Sequence, residues 1–282
     1  MSTVLLVDTM SEAFRAFHAL PKTIVNRDGV LINSLIGFHN SIRRLIKDFE
    51  PILCASAWSC MGPTFRHELF PEYKRSRSLP QALAAQKPLI AAYLRWVGIP
   101  QFSCDRFEAD DSLATLATHH ASMGKEVLID TVDKDVWSLC THSIRVWSPR
   151  TKAIVGPGDV IRKFEVQPSQ LPDLLALTGD QTDGVRRVPG ISNRQAVSLL
   201  GKYGSVRLIL DKYLDQLPEP QRTKVQQNRG LLELNLQLTK LCESVPLDLD
   251  SGMRCGRDLR DKLEGVSALL KIKDTSFLLE QP

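Results

Sequence analysis

The stretch Thr3-Val4-Leu5-Leu6-Val7-Asp8 is a short apolar run, rich in branched side chains, that ends on an acid. Such a run is typical of a buried strand in a parallel sheet. Further strand-like runs lie at residues 52–58, 126–131 and 143–148, and helix-like segments lie between them at about 31–49, 82–97 and 108–119. Strands that alternate with helices predict a doubly wound α/β sheet, whose functional sites lie outside the carboxyl ends of the strands.

After about Pro157 the sequence pattern becomes helical throughout. Helices are predicted at residues 168–177, 193–203 and 225–241, and Val188-Pro189-Gly190-Ile191 predicts a tight turn between the first two. We therefore expect an α/β domain at residues 1–157 and a helical subdomain at 158–282.

The composition excludes several classes of protein. At 282 residues, with 43% hydrophobic and 24% charged residues, the chain has the composition of a globular protein. The six cysteines include no CxxC pair, which argues against a zinc ribbon or a disulfide scaffold. No apolar run reaches the ~18 residues of a membrane span, and the N-terminus lacks a signal-peptide pattern. These features predict a cytoplasmic protein without a membrane partner.

Carboxylates occur in four clusters at predicted strand ends and helix starts: Asp8; Glu108, Asp110 and Asp111; Asp133 and Asp135; Asp180 and Asp183. One such cluster alone is more often a helix cap or a solvated charge than a site. Parallel topology, however, brings the first three clusters to one sheet edge, where unpaired anions would repel one another. Divalent cations remove that repulsion, and all-oxygen ligands favour Mg²⁺ or Mn²⁺ over zinc. Two such ions about 4 Å apart clamp the attacking water and the leaving oxygen of a phosphodiester.

A series of motifs accompanies these acids in a specific order: Leu6-Val7-Asp8 with residues 14–18, then 64–74, 108–111, 133–135, 179–183 and 188–191. The series resembles the 5′-nuclease family, which includes the N-terminal domains of bacterial DNA polymerase I, phage 5′-exonucleases and flap endonucleases. The resemblance covers about residues 4–245. It implies a PIN-like domain with a mostly parallel sheet flanked by helices, a helical arch at about 60–85, and a C-terminal helix-hairpin-helix subdomain that binds duplex DNA.

The resemblance also implies roles for individual residues. Asp8, Glu108, Asp110 and Asp111 are similar to ligands of a first metal ion and its surroundings, and Asp133, Asp135, Asp180 and Asp183 to those of a second. The basic positions of the arch are matched by Arg66, Lys74 and Arg77, of which Lys74 and Arg77 would hold the scissile phosphate. Tyr73 would stack on a base, and Arg15 and Arg75 would contact DNA.

The helical subdomain supplies the remaining predicted DNA contacts. The turn and the helix after it resemble a duplex-binding hairpin whose backbone amides hold a phosphate. Contacts are expected from Arg186, Arg187, Gly190, Ser192, Arg194 and Lys202. The resemblance further implies a monovalent cation at residues 188–192, in addition to the two Mg²⁺ or Mn²⁺ ions.

The sequence departs from the family pattern at a few positions. Ser59 stands where the family usually has an Asp before the arch, so the first metal site loses one anion. Thr9 replaces a Gly after the first acid, and Gly184-Val185-Arg186-Arg187 replaces an Asn-Ile-Pro-Gly-like stretch. Ser192 replaces the second hairpin glycine, which would displace a turn amide if that position required a positive φ.

The function implied is that of a metal-dependent 5′-3′ exonuclease or flap endonuclease that acts, as a monomer, on 5′ flaps and on duplexes with a 5′ single strand. Two alternatives stay open. A weakened relative could bind branched DNA without efficient hydrolysis because of Ser59. An RNase H-like nuclease would act on RNA–DNA hybrids, since the same acids hydrolyse either backbone.

Overall fold

The computed structural model describes residues 3–75, 78–249 and 257–278. Within them, six strands form one sheet: β1 Thr3–Asp8, β2 Leu53–Ala57, β3 Gln101–Phe102, β4 Glu126–Asp130, β5 Ile144–Ser148 and β6 Ala153–Val155. The strand order is β3-β2-β1-β4-β5-β6, and all pairs are parallel except β5 with β6. The predicted mostly parallel sheet is therefore confirmed, and β1 lies at its centre.

Helices surround the sheet and make up the second half of the chain. In the first half they are α1 Thr9–Ala19, α2 Asn33–Phe49, α3 Phe65–Leu69, α4 Gln81–Ala84, α5 Lys87–Val97, α6 Ala109–Ser122 and α7 Pro157–Phe164. The second half has α8 Leu171–Thr178, α9 Asn193–Tyr203, α10 Val206–Leu208, α11 Glu219–Gln227, α12 Arg229–Thr239 and α13 Arg257–Lys271. Among the described residues, no helix is both long and apolar enough to cross a membrane.

Alternating side chains of β1 build a core on each face of the sheet, as the period of two along a strand requires. Leu5 and Val7 pack on the face covered by α1, α2 and α5, whereas Val4 and Leu6 pack on the face covered by α6. A third core joins α8, α9, α11 and α12, so the helical second half has its own interior.

Helix α13 corrects the domain boundary expected from the sequence. Leu263 and Val266 of α13 are buried in the core of the first domain, between α2 and α5. Ser267 hydrogen-bonds His39 Nε2 at 2.8 Å, and Tyr93 bonds the other ring nitrogen at 3.1 Å. Burial, and then the nearby Arg43, lower the pKa of His39 to about 4. Residues 257–278 therefore belong to the α/β domain, not to the helical subdomain.

The segment predicted to form the arch contains two short helices, α3 and α4, on either side of a turn. Two of its side chains, Tyr73 near its middle and Leu83 near its end, are buried and attach the segment to the rest of the protein. Arg77, predicted to hold the scissile phosphate, lies outside the described residues.

Candidate active site

Asp8 lies at the carboxyl end of the central strand, where α1 begins. Its Oδ1 caps α1 by accepting the Ser11 amide at 3.1 Å, and its Oδ2 accepts the Thr131 hydroxyl at 2.8 Å. Burial is the main cause that raises the pKa of Asp8 to about 6, and Asp133 adds to the rise. The carboxylate is thus held in place but electrostatically strained, which favours a cation beside it.

The acids at the start of α6 face Asp8 across the same sheet edge. Burial, followed by the charges of Asp133 and Asp8, raises the pKa of Asp110 well above its ordinary value. Glu108 caps α6 and accepts the Lys74 ammonium at 2.9 Å. Asp8, Asp110 and Asp133 therefore form one repelling group, with Glu108 and Lys74 at its side.

Arg66 and Asp111 form a buried ion pair beneath this group. Asp111 is fully buried, and its two oxygens accept the Arg66 guanidinium at 2.7 and 2.8 Å. The same guanidinium donates to Glu108 at 3.1 Å and to the carbonyls of Leu238 and Lys240 at 2.9 and 3.0 Å. Because Arg66 is only 1% exposed, it cannot reach a substrate. This geometry corrects two expectations: Arg66 positions other residues, and Asp111 holds Arg66 with the oxygens that a metal would need.

Lys74 and Tyr73 connect the acids of the two predicted metal sites. The Lys74 ammonium lies 2.9 Å from Glu108 and 3.5 Å from Asp183, and its backbone takes a φ of 51°. The Tyr73 hydroxyl donates to Glu108 at 3.1 Å and to Asp183 at 3.3 Å. Tyr73 is 2% exposed, so its ring is buried and not available to stack on a base as expected. Its role in this conformation is to fix two acids.

The second group of acids surrounds Lys134. Burial, followed by the charge of Asp133, raises the pKa of Asp135 to about 7, and its Oδ1 is buried without a hydrogen-bond partner. Although burial raises it, the Lys134 ammonium and the Thr182 amide together lower the pKa of Asp180 below its ordinary value. Asp133 accepts the Asp135 amide at 3.0 Å, and its negative charge repels acids of both groups. Lys134 was not predicted as a site residue, although its place between two acids in the sequence was a usable signal.

The donor chemistry of these groups fits hard divalent cations. All side-chain donors are oxygens, and burial together with neighbouring acids raises the pKa values of Asp8 and Asp135, so a bound cation would stabilise their charged forms. In this conformation, no three Asp, Glu, His or Cys side chains among the described residues are grouped to hold an ion. Lys74 and Lys134 instead bind Glu108 and Asp180. An entering ion must therefore compete with both ammonium groups.

Ser59 lies beside the first group, at the start of α6. Its hydroxyl oxygen accepts the Ala109 amide at 3.1 Å and so supports the first turn of that helix. A carboxylate at this position would cap the helix and also bring a negative charge. The Ser59 hydroxyl provides the cap without the charge. Thr9, the other departure near Asp8, is buried with its hydroxyl unbonded.

Arg15, predicted to contact a phosphate, lies on α1. Its guanidinium is bound to Glu12, which is buried, and to the Ser41 hydroxyl at 3.2 Å. These bonds hold Arg15 against α2. The Arg15 side chain is 34% exposed, so a DNA contact would use only the outer edge of its guanidinium.

The hairpin residues predicted to contact DNA, Gly190 and Ser192, lie on the surface of the helical subdomain. Gly190 takes a φ of 76°, whereas Ser192 has a φ of −80° and caps α9 together with Gln195. Position 192 thus needs no glycine, and a serine at this position displaces no turn amide. Arg187 is bonded to the Thr178 carbonyl and to Asn193 at 3.0 and 2.7 Å. The other predicted contacts, Arg75, Arg186, Arg194 and Lys202, are exposed.

Models of one protein family match nearly the whole chain. They are described as the 5′-3′ exonuclease N-terminal resolvase-like domain, at residues 3–165, and the 5′-3′ exonuclease C-terminal SAM fold, at residues 166–257.

Curated relatives are similar over the same region. A 5′-3′ exonuclease of Aquifex aeolicus is 31% identical over 287 residues, which cover 100% of this chain and 98% of that protein. DNA polymerase I of Rhizobium leguminosarum is 34% identical over 253 residues, or 87% of this chain and 25% of that protein. The chain thus spans about a quarter of the length of such polymerases.

Solved structures share the fold. The zinc-bound bacteriophage T5 5′-exonuclease has a TM-score of 0.71 and 23% identity, with 96% of this chain and 100% of that chain covered. The catalytic core of Rad2 in complex with DNA substrate has a TM-score of 0.60 and 15% identity, with 98% and 90% covered. The arrangement of a parallel sheet with a helical second half is therefore common to all of them.

Proposed function

The chain belongs to the 5′-3′ exonuclease family, and from this premise we propose that it hydrolyses phosphodiester bonds of DNA at or near a 5′ end. The observation that carries the proposal is the pair of buried acidic groups at the carboxyl edge of the sheet, joined by Asp133. In the family's terms this is a 5′-3′ exonuclease and structure-specific flap endonuclease.

The residues that would hold two divalent ions follow from the acidic groups. Asp8, Asp110 and Asp133, with Glu108, would hold the first, and Asp135, Asp180 and Asp183 the second. When bound, such ions activate water and stabilise the leaving oxygen. We favour Mg²⁺ or Mn²⁺ because all the donors are oxygens.

The chain's own residues would position the substrate. Lys74 is held over both groups by Glu108 and Asp183, where its ammonium can pair with the scissile phosphate once released from Glu108. Thr131 and Ser11 fix the orientation of Asp8. Arg66, through Glu108 and Asp111, keeps the start of α6 at the sheet edge.

DNA is the proposed partner, as a duplex with a 5′ flap or a 5′ single strand. The exposed basic residues Arg186, Arg194 and Lys202 lie on the helical subdomain, where they would contact backbone phosphates. One chain supplies both the acids and these contacts, so we propose that it acts as a monomer in DNA replication or repair. We further propose that it acts in the cytoplasm, on the DNA held there.

A cleavage assay tests the proposal. The protein is incubated with labelled 5′-flap, nicked, blunt and RNA–DNA hybrid duplexes, with Mg²⁺, with Mn²⁺ or with EDTA, beside Asp135→Asn as the matched control. The proposal expects cleavage of the DNA substrates only with a divalent ion and not by the variant. Cleavage confined to the hybrid would instead support an RNase H-like activity.

A catalytically weakened, DNA-binding relative is the second candidate, because Ser59 supplies a hydroxyl cap and no charge. It predicts tight flap binding with negligible turnover. Recovery of turnover in Ser59→Asp would distinguish it from the fully active nuclease, for which the substitution changes the rate little.

A further inference from the structure

A lysine from a distant helix is bound to the hairpin of residues 188–192. Lys224 lies in α11, and its ammonium donates to the Gly190 carbonyl at 2.9 Å. A Cβ atom added at Gly190 would lie 2.9 Å from Lys224 Cε, so the lysine stem also covers the turn. The contact joins residues 34 apart in sequence.

Apolar packing beside this contact fixes the position of α11 relative to the hairpin. Val225, the next residue of α11, is 1% exposed and shares a core with Val188 and Ile191 of the hairpin. Helix and hairpin are thus fixed to each other by buried apolar side chains. The lysine does not have to order a mobile segment to reach its acceptor.

The hairpin does not fit the monovalent cation that the sequence implied. Such an ion is bound by several carbonyl oxygens, and one of those that the hairpin offers, the Gly190 carbonyl, already accepts the Lys224 ammonium. An ion at Gly190 would also lie beside the ammonium, and like charges so close repel each other.

We propose that the Lys224 ammonium replaces a bound monovalent cation at the hairpin, so that duplex binding by this chain does not depend on K⁺. A charge-assisted hydrogen bond to the turn carbonyl stabilises the turn as an ion would. Unlike an ion, the lysine is present in any salt. Lys224 is thus a positioning residue for duplex binding, and the inference rests on the proposed DNA-binding function.

Fluorescence anisotropy with a labelled 5′-flap duplex, in EDTA to prevent cleavage, tests the inference. Binding is compared in KCl, LiCl and tetramethylammonium chloride at equal ionic strength, for the unchanged protein, Lys224→Met, Lys224→Arg and Lys212→Met. Lys212 is an exposed lysine of the same subdomain, so its removal controls for the loss of one charge. Thermal unfolding of each variant shows whether it is folded.

The unchanged protein and Lys224→Arg are expected to bind equally in the three salts. Lys224→Met should bind about tenfold more weakly in LiCl, and regain part of that loss in KCl because K⁺ can then occupy the freed carbonyl. Lys212→Met should show a smaller loss, equal in all three salts. K⁺-dependent binding by the unchanged protein, or identical behaviour of the two Met variants, would overturn the inference alone. Failure of the unchanged protein to bind in any salt would overturn the proposed function and, with it, this inference.

Discussion

Replacement of Arg66 by methionine removes the buried cation that joins the arch, α6 and α12. Asp111 is 0% exposed and, within the described part of the chain, would keep the backbone amides of Glu108 and Cys242 as donors, at 3.1 and 2.9 Å. Breaking a buried ion pair from one side costs about 3–5 kcal/mol, because the remaining charge stays buried without compensation. The carbonyls of Leu238 and Lys240 lose a donor as well, so the upper part of that range is expected.

Urea unfolding of the metal-free protein measures the effect. Arg106→Met is the matched control, since Arg106 also pairs with a carboxylate, Glu68, but both side chains are at least half exposed. Water screens that pair, so its loss should change the free energy of unfolding little. The loss of unfolding free energy in Arg66→Lys should lie between those of the two methionine variants, because lysine keeps the charge but cannot bind a carboxylate with two parallel hydrogen bonds. A loss in Arg66→Met no larger than that in Arg106→Met would refute the account of the buried pair.

Three further predictions concern charge and backbone geometry. Because Asp8 and Asp135 have pKa values of about 6 and 7 in the folded protein, the folded state holds protons that the unfolded chain releases near pH 4. Metal-free stability should therefore fall by about 3 kcal/mol or more between pH 5 and pH 8 in urea titrations, and Mn²⁺ should remove most of the difference; stability that rises with pH would contradict this. Ser59→Asp keeps the helix cap and adds an anion, so calorimetry should show about tenfold tighter Mn²⁺ binding, whereas Ser59→Ala should not; equal affinities would show that the lost anion is unimportant. Gly179→Ala places a Cβ 2.6 Å from a backbone nitrogen at a φ of 75° and should cost roughly 2–4 kcal/mol by urea unfolding, whereas Gly201→Ala, with open space around it, should cost nothing.

The sheet was predictable because its strands carry strong local signals. The apolar runs at β1, β4 and β5 end on or near polar residues, and the structure places them as predicted to within a residue or two. Elements without such a signal were missed, among them β3 with two residues and β6 with three. The helix predicted at 225–241 lies across two helices that meet at Asn228. The break was missed because the apolar periodicity continues across it.

The position of α13 could not be predicted because it is determined by tertiary contacts. Its apolar face alone does not say which domain it covers, and the partners that decide this, His39 and Tyr93, lie about 170 to 230 residues away. The same limit affected the domain boundary. Contacts between remote segments are not encoded in local periodicity.

In the site, the sequence predicted which residues gather but not which of them bind each other. Asp8, Asp110 and Asp133 are close enough for their charges to act on one another, and so are Asp135, Asp180 and Asp183, although the last two follow α8 and not a strand. Arg66 and Tyr73 look like substrate-binding residues by type, yet both are buried and bonded to acids. Burial of a polar side chain depends on its neighbours in three dimensions, which local sequence patterns do not show.

The most direct test of the central claim is Mn²⁺-dependent cleavage of a 5′-flap duplex by the unchanged protein and by Asp135→Asn, with binding measured in parallel. The account predicts that both proteins bind the flap, that only the unchanged protein cleaves it, and that EDTA stops cleavage. A flap that is bound but still intact after prolonged incubation with Mn²⁺, or equal cleavage by Asp135→Asn, would contradict it.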